Sequence, residues 1–272
     1  IKLNIVNVSN NNLIQFKNNY LNVYTYKASG TVDNSIKSLD YGYKECNKKN
    51  FIGLVTLPLN KKIINLKIKD FKGHTEYFQK LDNKKSSNMI FVHKKLFIST
   101  LTTHIAIRNI NKLLKRKNYI YNQIVSLNDS LKKDFNILEP RILISGINPH
   151  AGEKGLLGNE EKNILIPVLN ILKSKKIKIA GPISGDSMLE KNNIFNYDCF
   201  LFVFHDQALI PFKYISEYKG VNYTGNLSII RTSPDHGTAY NLVGTKKASN
   251  KSLLNCFKLI KLIKKNRSTH LG

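Results

Sequence analysis

An α/β fold built on a largely parallel sheet is what this sequence predicts, and three observations predict it. Short apolar runs alternate with helix-patterned segments along most of the 272 residues. Several of these runs are continuously apolar, as strands buried on both faces are. The segments between them carry one-sided apolar stripes suited to covering a sheet.

The elements follow in order. Residues 1–8 (IKLNIVNV) alternate like a strand. Residues 51–57 (FIGLVTL), 88–93, 96–101, 141–147 (RILISGI), 177–180 (IKIA), 199–204 (CFLFVF) and 227–231 are the other expected strands. Residues 105–116 (IAIRNINKLLKR) have a helical pattern. Residues 159–173 have another. Asn159 is its expected N-cap, and Glu160 and Glu161 fall in the first turn, where the helix dipole favours acids. Ile164, Leu165, Val168, Leu169 and Leu172 then recur at the spacing of a buried stripe. Residues 251–265 make a basic amphipathic helix, which either docks on the sheet, the commoner arrangement, or lies on a membrane surface.

Composition narrows the function classes. With 42% hydrophobic residues the chain can build a substantial core, and no apolar run is long enough for a membrane span. The first residues lack a small-residue cleavage site, so no signal peptide is expected. Ile1 in place of Met suggests a fragment, a processed form or a trimmed chain. Cys46, Cys199 and Cys256 are widely spaced and form no CxxC pair, which fits reduced thiols in a cytoplasmic protein. The net charge of +25 has two readings, a nucleic-acid surface or a general bias toward Lys, Asn and Ile. The lysines are scattered and no nucleic-acid motif accompanies them, so the bias is favoured and no nucleic-acid partner is expected. There is no GxGxxG and no GxxxxGK[ST], which leaves a standard dinucleotide fingerprint or P-loop unsupported.

The histidines carry the strongest local signal. His104, His150 and His205 each lie just past the C-terminal end of an expected strand. That edge is where open α/β sheets bind ligands. A histidine alone is more often structural, capping or bonding a turn. Three that converge from strand ends make a divalent-metal site with room for substrate. Their spacing matches no local zinc motif, so the fold would have to assemble the site. His74 in "GHTEYF" and His236 in "DHGTAY" have glycine neighbours that permit close approach to a ligand. His93 and His270 look incidental. Lys213, Asn222 and Arg231 follow His205, and the two cations suit a phosphate or carboxylate.

At this point the motifs resemble one family, the 4-hydroxythreonine-4-phosphate dehydrogenases of vitamin B6 biosynthesis. The resemblance rests on "VTLPLNKKIIN", "GHTEYF", "TTH", "GINPHAGEKGLLGNEE", "GPISGD", "YDCFLFVFHDQALIPFK", "GVNYTGNL" and "IRTSPDHGTAY", in that order. It implies an isocitrate/isopropylmalate dehydrogenase-like α/β fold, with two α/β subdomains flanking a cleft. Residues 1–68 plus 210–272 would form the cofactor-side subdomain. Residues 69–209 would form the central one, with the metal site and the dimer interface. It implies a homodimer whose sites draw on both subunits.

Carried over residue by residue, the metal ligands would be His104, His150 and His205, with zinc expected and magnesium, cobalt or manganese as alternatives. Substrate contacts would fall on His74, Thr75, Lys213, Asn222 and Arg231, and NAD or NADP would lie near His236, Gly237 and Thr238. Asp186 and Asp206 are acids in family-like motifs, and either would serve to orient the site. The implied reaction is oxidation of 4-phosphooxy-L-threonine with decarboxylation. A four-carbon sugar-acid phosphate such as threonate or erythronate 4-phosphate is the rival substrate, and a shortened non-catalytic relative is the rival role. The sequence departs from the family pattern in lacking a Gly-rich "GDPxGIGPE" unit. It also carries Leu57, Ala208, Lys246 and Ser249 where other residues are usual.

Overall fold

The structure is a computed structural model, and it describes residues 3–7, 19, 21–25 and 31–269. His270 lies outside them. Strands β1 (Leu3–Asn7) and β2 (Leu21–Thr25) pair in parallel as a small sheet of their own. Helix α1 (Thr31–Asn47) leads to β3 (Leu54–Val55), α2 (Lys61–Ile64) and α3 (His74–Leu81). The hairpin β4 (Asn88–His93) and β5 (Leu96–Thr100) follows, then α4 (Ile110–Leu114) and α5 (Lys117–Phe135). Next come β6 (Ile142–Ser145), α6 (Ile166–Ser174), β7 (Ile179–Ile183), α7 (Lys191–Asn196) and β8 (Cys199–Phe202). Helix α8 (His205–Ser216), β9 (Val221–Gly225), β10 (Arg231–Pro234) and α9 (Lys251–Thr269) complete the chain.

Eight strands form one sheet in the order β3-β10-β9-β4-β5-β8-β6-β7. It crosses the boundary between the two expected subdomains. The expectation of a largely parallel sheet needs correction. The half containing β5, β8, β6 and β7 is parallel, but β9 runs antiparallel to both β10 and β4, and β4 to β5. The cause is local: two residues join β4 to β5, and so short a link permits only an antiparallel turn.

The main core lies between the sheet and α5, α6 and α9, and includes Ile124, Leu127, Leu165, Leu169, Ile260 and Ile263. Helix α9 therefore docks on the sheet, through Cys256, Leu259, Ile260 and Ile263. A second core on the opposite face packs Met89, Phe91, Phe200 and Phe202 against Phe212 of α8. All three cysteines are buried and free. No helix among the described residues is long and apolar enough to cross a membrane.

Several expected bounds shift. The helix expected over 105–116 contracts to a single 3₁₀ turn (Ile107–Asn109) and α4. The helix expected from Asn159 opens with a π turn (Glu161–Leu165) that is not capped by the Asn159 side chain. Pro167, which has no N–H to donate, stands just beyond that turn. The strand expected over 227–231 is displaced: Leu227, Ile229 and Ile230 are buried at a bend, and Arg231 opens β10 instead of ending a strand.

Candidate active site

Helix α8 stands between two cavities and gives a different stripe to each. His205, Leu209 and Lys213, four residues apart, line a cavity of about 570 Å³. Asp206, Gln207, Ile210 and Pro211 line a second of about 640 Å³.

The first cavity gathers most of the residues singled out by the sequence. His74 and Thr75 enter it from the first turn of α3, His104 from the loop after β5, and Asn222 from β9. Arg231 and Ser233 alternate onto it from β10. His236, Gly237 and Thr238 follow β10 at the rim, where a Cβ added to Gly237 would meet nothing within 4 Å.

Arg231 is the dominant electrostatic feature. It is 1% exposed, and its guanidinium donates to Thr56 Oγ1 through Nε (3.0 Å) and Nη2 (2.5 Å) and to Thr224 Oγ1 through Nη1 (2.9 Å). Both acceptors are neutral hydroxyls, and among the described residues no carboxylate forms an ion pair with it. Burial pulls its pKa down to about 10, so it remains charged at neutral pH. The guanidinium also lies 6.0 Å from the Phe78 ring centroid.

His74 stacks on Phe78 and meets Phe71 edge-on. Burial, and then the nearby Arg231 charge, lower its pKa to about 3, so the ring is neutral. Its buried Nε2 has no hydrogen-bond partner, and neither does the buried Oδ1 of Asn222. Unmade hydrogen bonds at buried atoms are costly, and two on one cavity wall mark a place for a polar ligand. Asp235 is also on this wall, and burial raises its pKa.

The three strand-end histidines do share one edge, because β5, β8 and β6 are parallel neighbours. Only two come together. The His104 and His205 rings lie 5.7 Å apart, centroid to centroid. Each has Nδ1 against a carboxylate: His104 at 3.1 Å from Glu76 Oε1, His205 at 2.7 Å from Asp206 Oδ1. Each Nε2 is thereby left as the free donor atom, the usual state of a metal-ligating imidazole. Burial pushes the Glu76 carboxyl up, but the hydrogen bond and electrostatic attraction of His104, then Glu76's own backbone N–H and the Thr103 hydroxyl, outweigh it and hold the pKa at about 2.

His150 belongs to the other cavity, with Asp186 and Asp206. Five consecutive residues from His150 to Lys154 have positive φ, and this left-handed turn carries the ring away from its expected partners. Glu161 braces the turn by accepting from the Ile147 and Asn148 backbone N–H groups at 2.8 and 2.9 Å. Within the described residues of one chain, no three His, Cys, Asp or Glu are grouped to hold a metal.

Sequence reasoning missed Thr56, Glu76, Asp235 and Thr224. The only local signal was for Glu76, in "GHTEYF", and an acid in a first helical turn is commonplace.

Comparison with known proteins gives consistent results. The family model described as pyridoxal phosphate biosynthetic protein PdxA matches residues 3–260. A 4-hydroxythreonine-4-phosphate dehydrogenase of Bacteroides thetaiotaomicron is 40% identical over 200 residues, covering 73% of this chain. That alignment spans 55% of the relative, so the chain matches about half of its length. One from Sulfurihydrogenibium sp. is 36% identical over 234 residues, covering 86% of this chain and 71% of the relative. The crystal structure of a Klebsiella pneumoniae 4-hydroxythreonine-4-phosphate dehydrogenase superposes with a TM-score of 0.78 at 27% identity. It covers 97% of this chain and 83% of that one, and the expected dehydrogenase-type α/β fold holds.

Proposed function

The chain belongs to the family of the pyridoxal phosphate biosynthetic protein PdxA, and from that premise we propose that it is a dehydrogenase that oxidises 4-phosphooxy-L-threonine. NAD or NADP would take the hydride, and CO2 would be lost from the resulting β-keto acid. Arg231 is the observation that carries this reading. A fully buried cation held only by threonine hydroxyls on a cavity wall needs an anion, and the phosphate or carboxylate of such a substrate supplies one.

Each residue has a part in binding and alignment. Arg231 offers a planar fork to the anion, and Lys213 adds a point charge from α8. Asn222 Oδ1 accepts from a substrate N–H or O–H, and neutral His74 bonds another polar end without adding charge. Thr75 lies beside it. His236, Gly237 and Thr238 at the rim would take the cofactor, and the open space at Gly237 allows close approach.

A divalent metal, zinc by the donor type, fits His104 and His205, whose Nε2 atoms are free and whose Nδ1 atoms are bonded. His150 of a second copy would complete the set in a homodimer, because His150 of the same chain lies in the other cavity. When bound, the metal and the nicotinamide supply Lewis-acid polarisation of the substrate oxygen and a hydride acceptor.

The test is NADH and NADPH formation by the purified chain. 4-Phosphooxy-L-threonine should support turnover, and threonate and erythronate 4-phosphates should be poorer. Turnover with the sugar acids alone would reassign the substrate, and none with any of the three would favour a non-catalytic relative.

A further inference from the structure

We infer that Glu76 is a positioning residue that fixes the tautomer and orientation of His104. The inference rests on the metal-site reading above and extends it to a residue outside the ligand set.

The geometry is specific. Glu76 lies in the first turn of α3, two residues after His74, but serves a different neighbour. Its Oε1 accepts from Thr103 Oγ1 at 2.8 Å and faces His104 Nδ1 at 3.1 Å, while Oε2 lies 3.4 Å from the same nitrogen. The carboxylate thus meets the loop after β5 at two adjacent residues. Gly73 leaves the necessary room: a Cβ there would stand 3.0 Å from His104 Cε1 and 3.2 Å from Glu76 Oε2. A helix-dipole acid would need none of these contacts, since interaction with the helix N-terminus asks only for proximity. Accepting the Nδ1 proton leaves Nε2 of His104 as the lone-pair nitrogen, on a ring already beside His205. One helical turn therefore places His74 and Thr75 on the cavity and sets the donor atom of the neighbouring histidine.

The experiment compares the wild-type chain with Glu76→Ala and Glu76→Gln. Nitrogen-15 NMR of the metal-free protein reads the His104 tautomer. The wild type and Glu76→Gln, which keeps an acceptor oxygen, should carry the proton on Nδ1, and Glu76→Ala should lose that preference. Zinc affinity, read by competition with a chromophoric chelator, should fall roughly 10- to 100-fold in Glu76→Ala and recover most of the way in Glu76→Gln. An unchanged tautomer in Glu76→Ala overturns the inference, as does unchanged zinc affinity beside a tightly binding wild type. A wild type that binds no zinc overturns the metal reading instead, and the NMR result still decides the role of Glu76. If Glu76→Ala does not fold, Glu76→Leu, which fills similar space without an acceptor, decides: a His104 that keeps its proton on Nδ1 in that variant also overturns the inference.

Discussion

At the scale of single residues, Arg231 and His74 show how burial turns ordinary side chains into specific ones. Arg231→Lys keeps the charge but loses the fork that spans Thr56 and Thr224. Loss of one charge-assisted hydrogen bond to substrate costs about 1.5–3 kcal/mol, so kcat/KM should fall roughly 10- to 150-fold. Steady-state kinetics read it, and a wild-type value would remove Arg231 from the site. His74 makes a pH prediction. Its folded pKa is about 3, against roughly 6.5 in the unfolded chain. Between these values only the unfolded chain binds the proton, so stability is full above about pH 6.5 and falls as pH drops toward 3, by up to ~1.4 kcal/mol per pH unit. His74→Gln should show a shallower loss between about pH 6.5 and 4.5 in urea titrations, and parallel curves would contradict it. His104 and His205 were legible because their place after an apolar run is written in the chain, and His74 because of its glycine neighbour. Thr56 and Glu76 were not, since each matters through a partner distant in sequence.

At the scale of elements, hydrophobic pattern tracked burial better than it tracked conformation. β4 has its expected bounds, and its burial is nearly continuous. Helix α5 went unassigned although Ile120, Ile124, Leu127 and Leu131 keep a buried stripe at helical spacing, because Gln123, Ser126, Asn128, Ser130 and Asp134 are buried beside it and dilute the apolar pattern. Gln123, Ser126 and Asp134 have tertiary partners. Asn88 donates to Gln123, Ser126 donates to Asn88, and Asp134 receives Tyr223 and Arg267. β9 was hidden for the same reason, with Asn222 facing a cavity and Thr224 bonded to Arg231. The left-handed turn at His150 also had no signature, since left-handed backbone at non-glycine residues costs about 1–2 kcal/mol each and needs outside support. Glu161 gives that support. Glu161→Ala should destabilise the fold by about 1–3 kcal/mol, because two backbone donors lose their acceptor. Hydrogen exchange should accelerate across residues 147–155 and remain slow in β6. Unaltered exchange in the turn would show that other contacts hold it.

At the scale of the whole molecule, the separation of His150 from His104 and His205 requires a second copy if the three are to share one ion. The surface around the second cavity suits such a contact. Ile210, 72% exposed, lines that cavity beside His150, and Tyr214, 86% exposed, follows it by four residues on α8. A large exposed apolar patch is the usual mark of an interface. A twofold dimer would use each such surface twice and form two equivalent sites. Sedimentation should therefore give a dimer at micromolar concentration, and complementation tests the shared site directly. His104→Ala and His150→Ala should each be inactive alone. Mixed and refolded together, half of the dimers pair unlike subunits, and one of the two sites in each is intact. Activity should then return to roughly a quarter of the wild-type level per subunit. If all three histidines served a site within one chain, mixing would restore nothing, because every subunit would still lack one ligand. A dimer without complementation would thus keep the interface and reject the shared metal site.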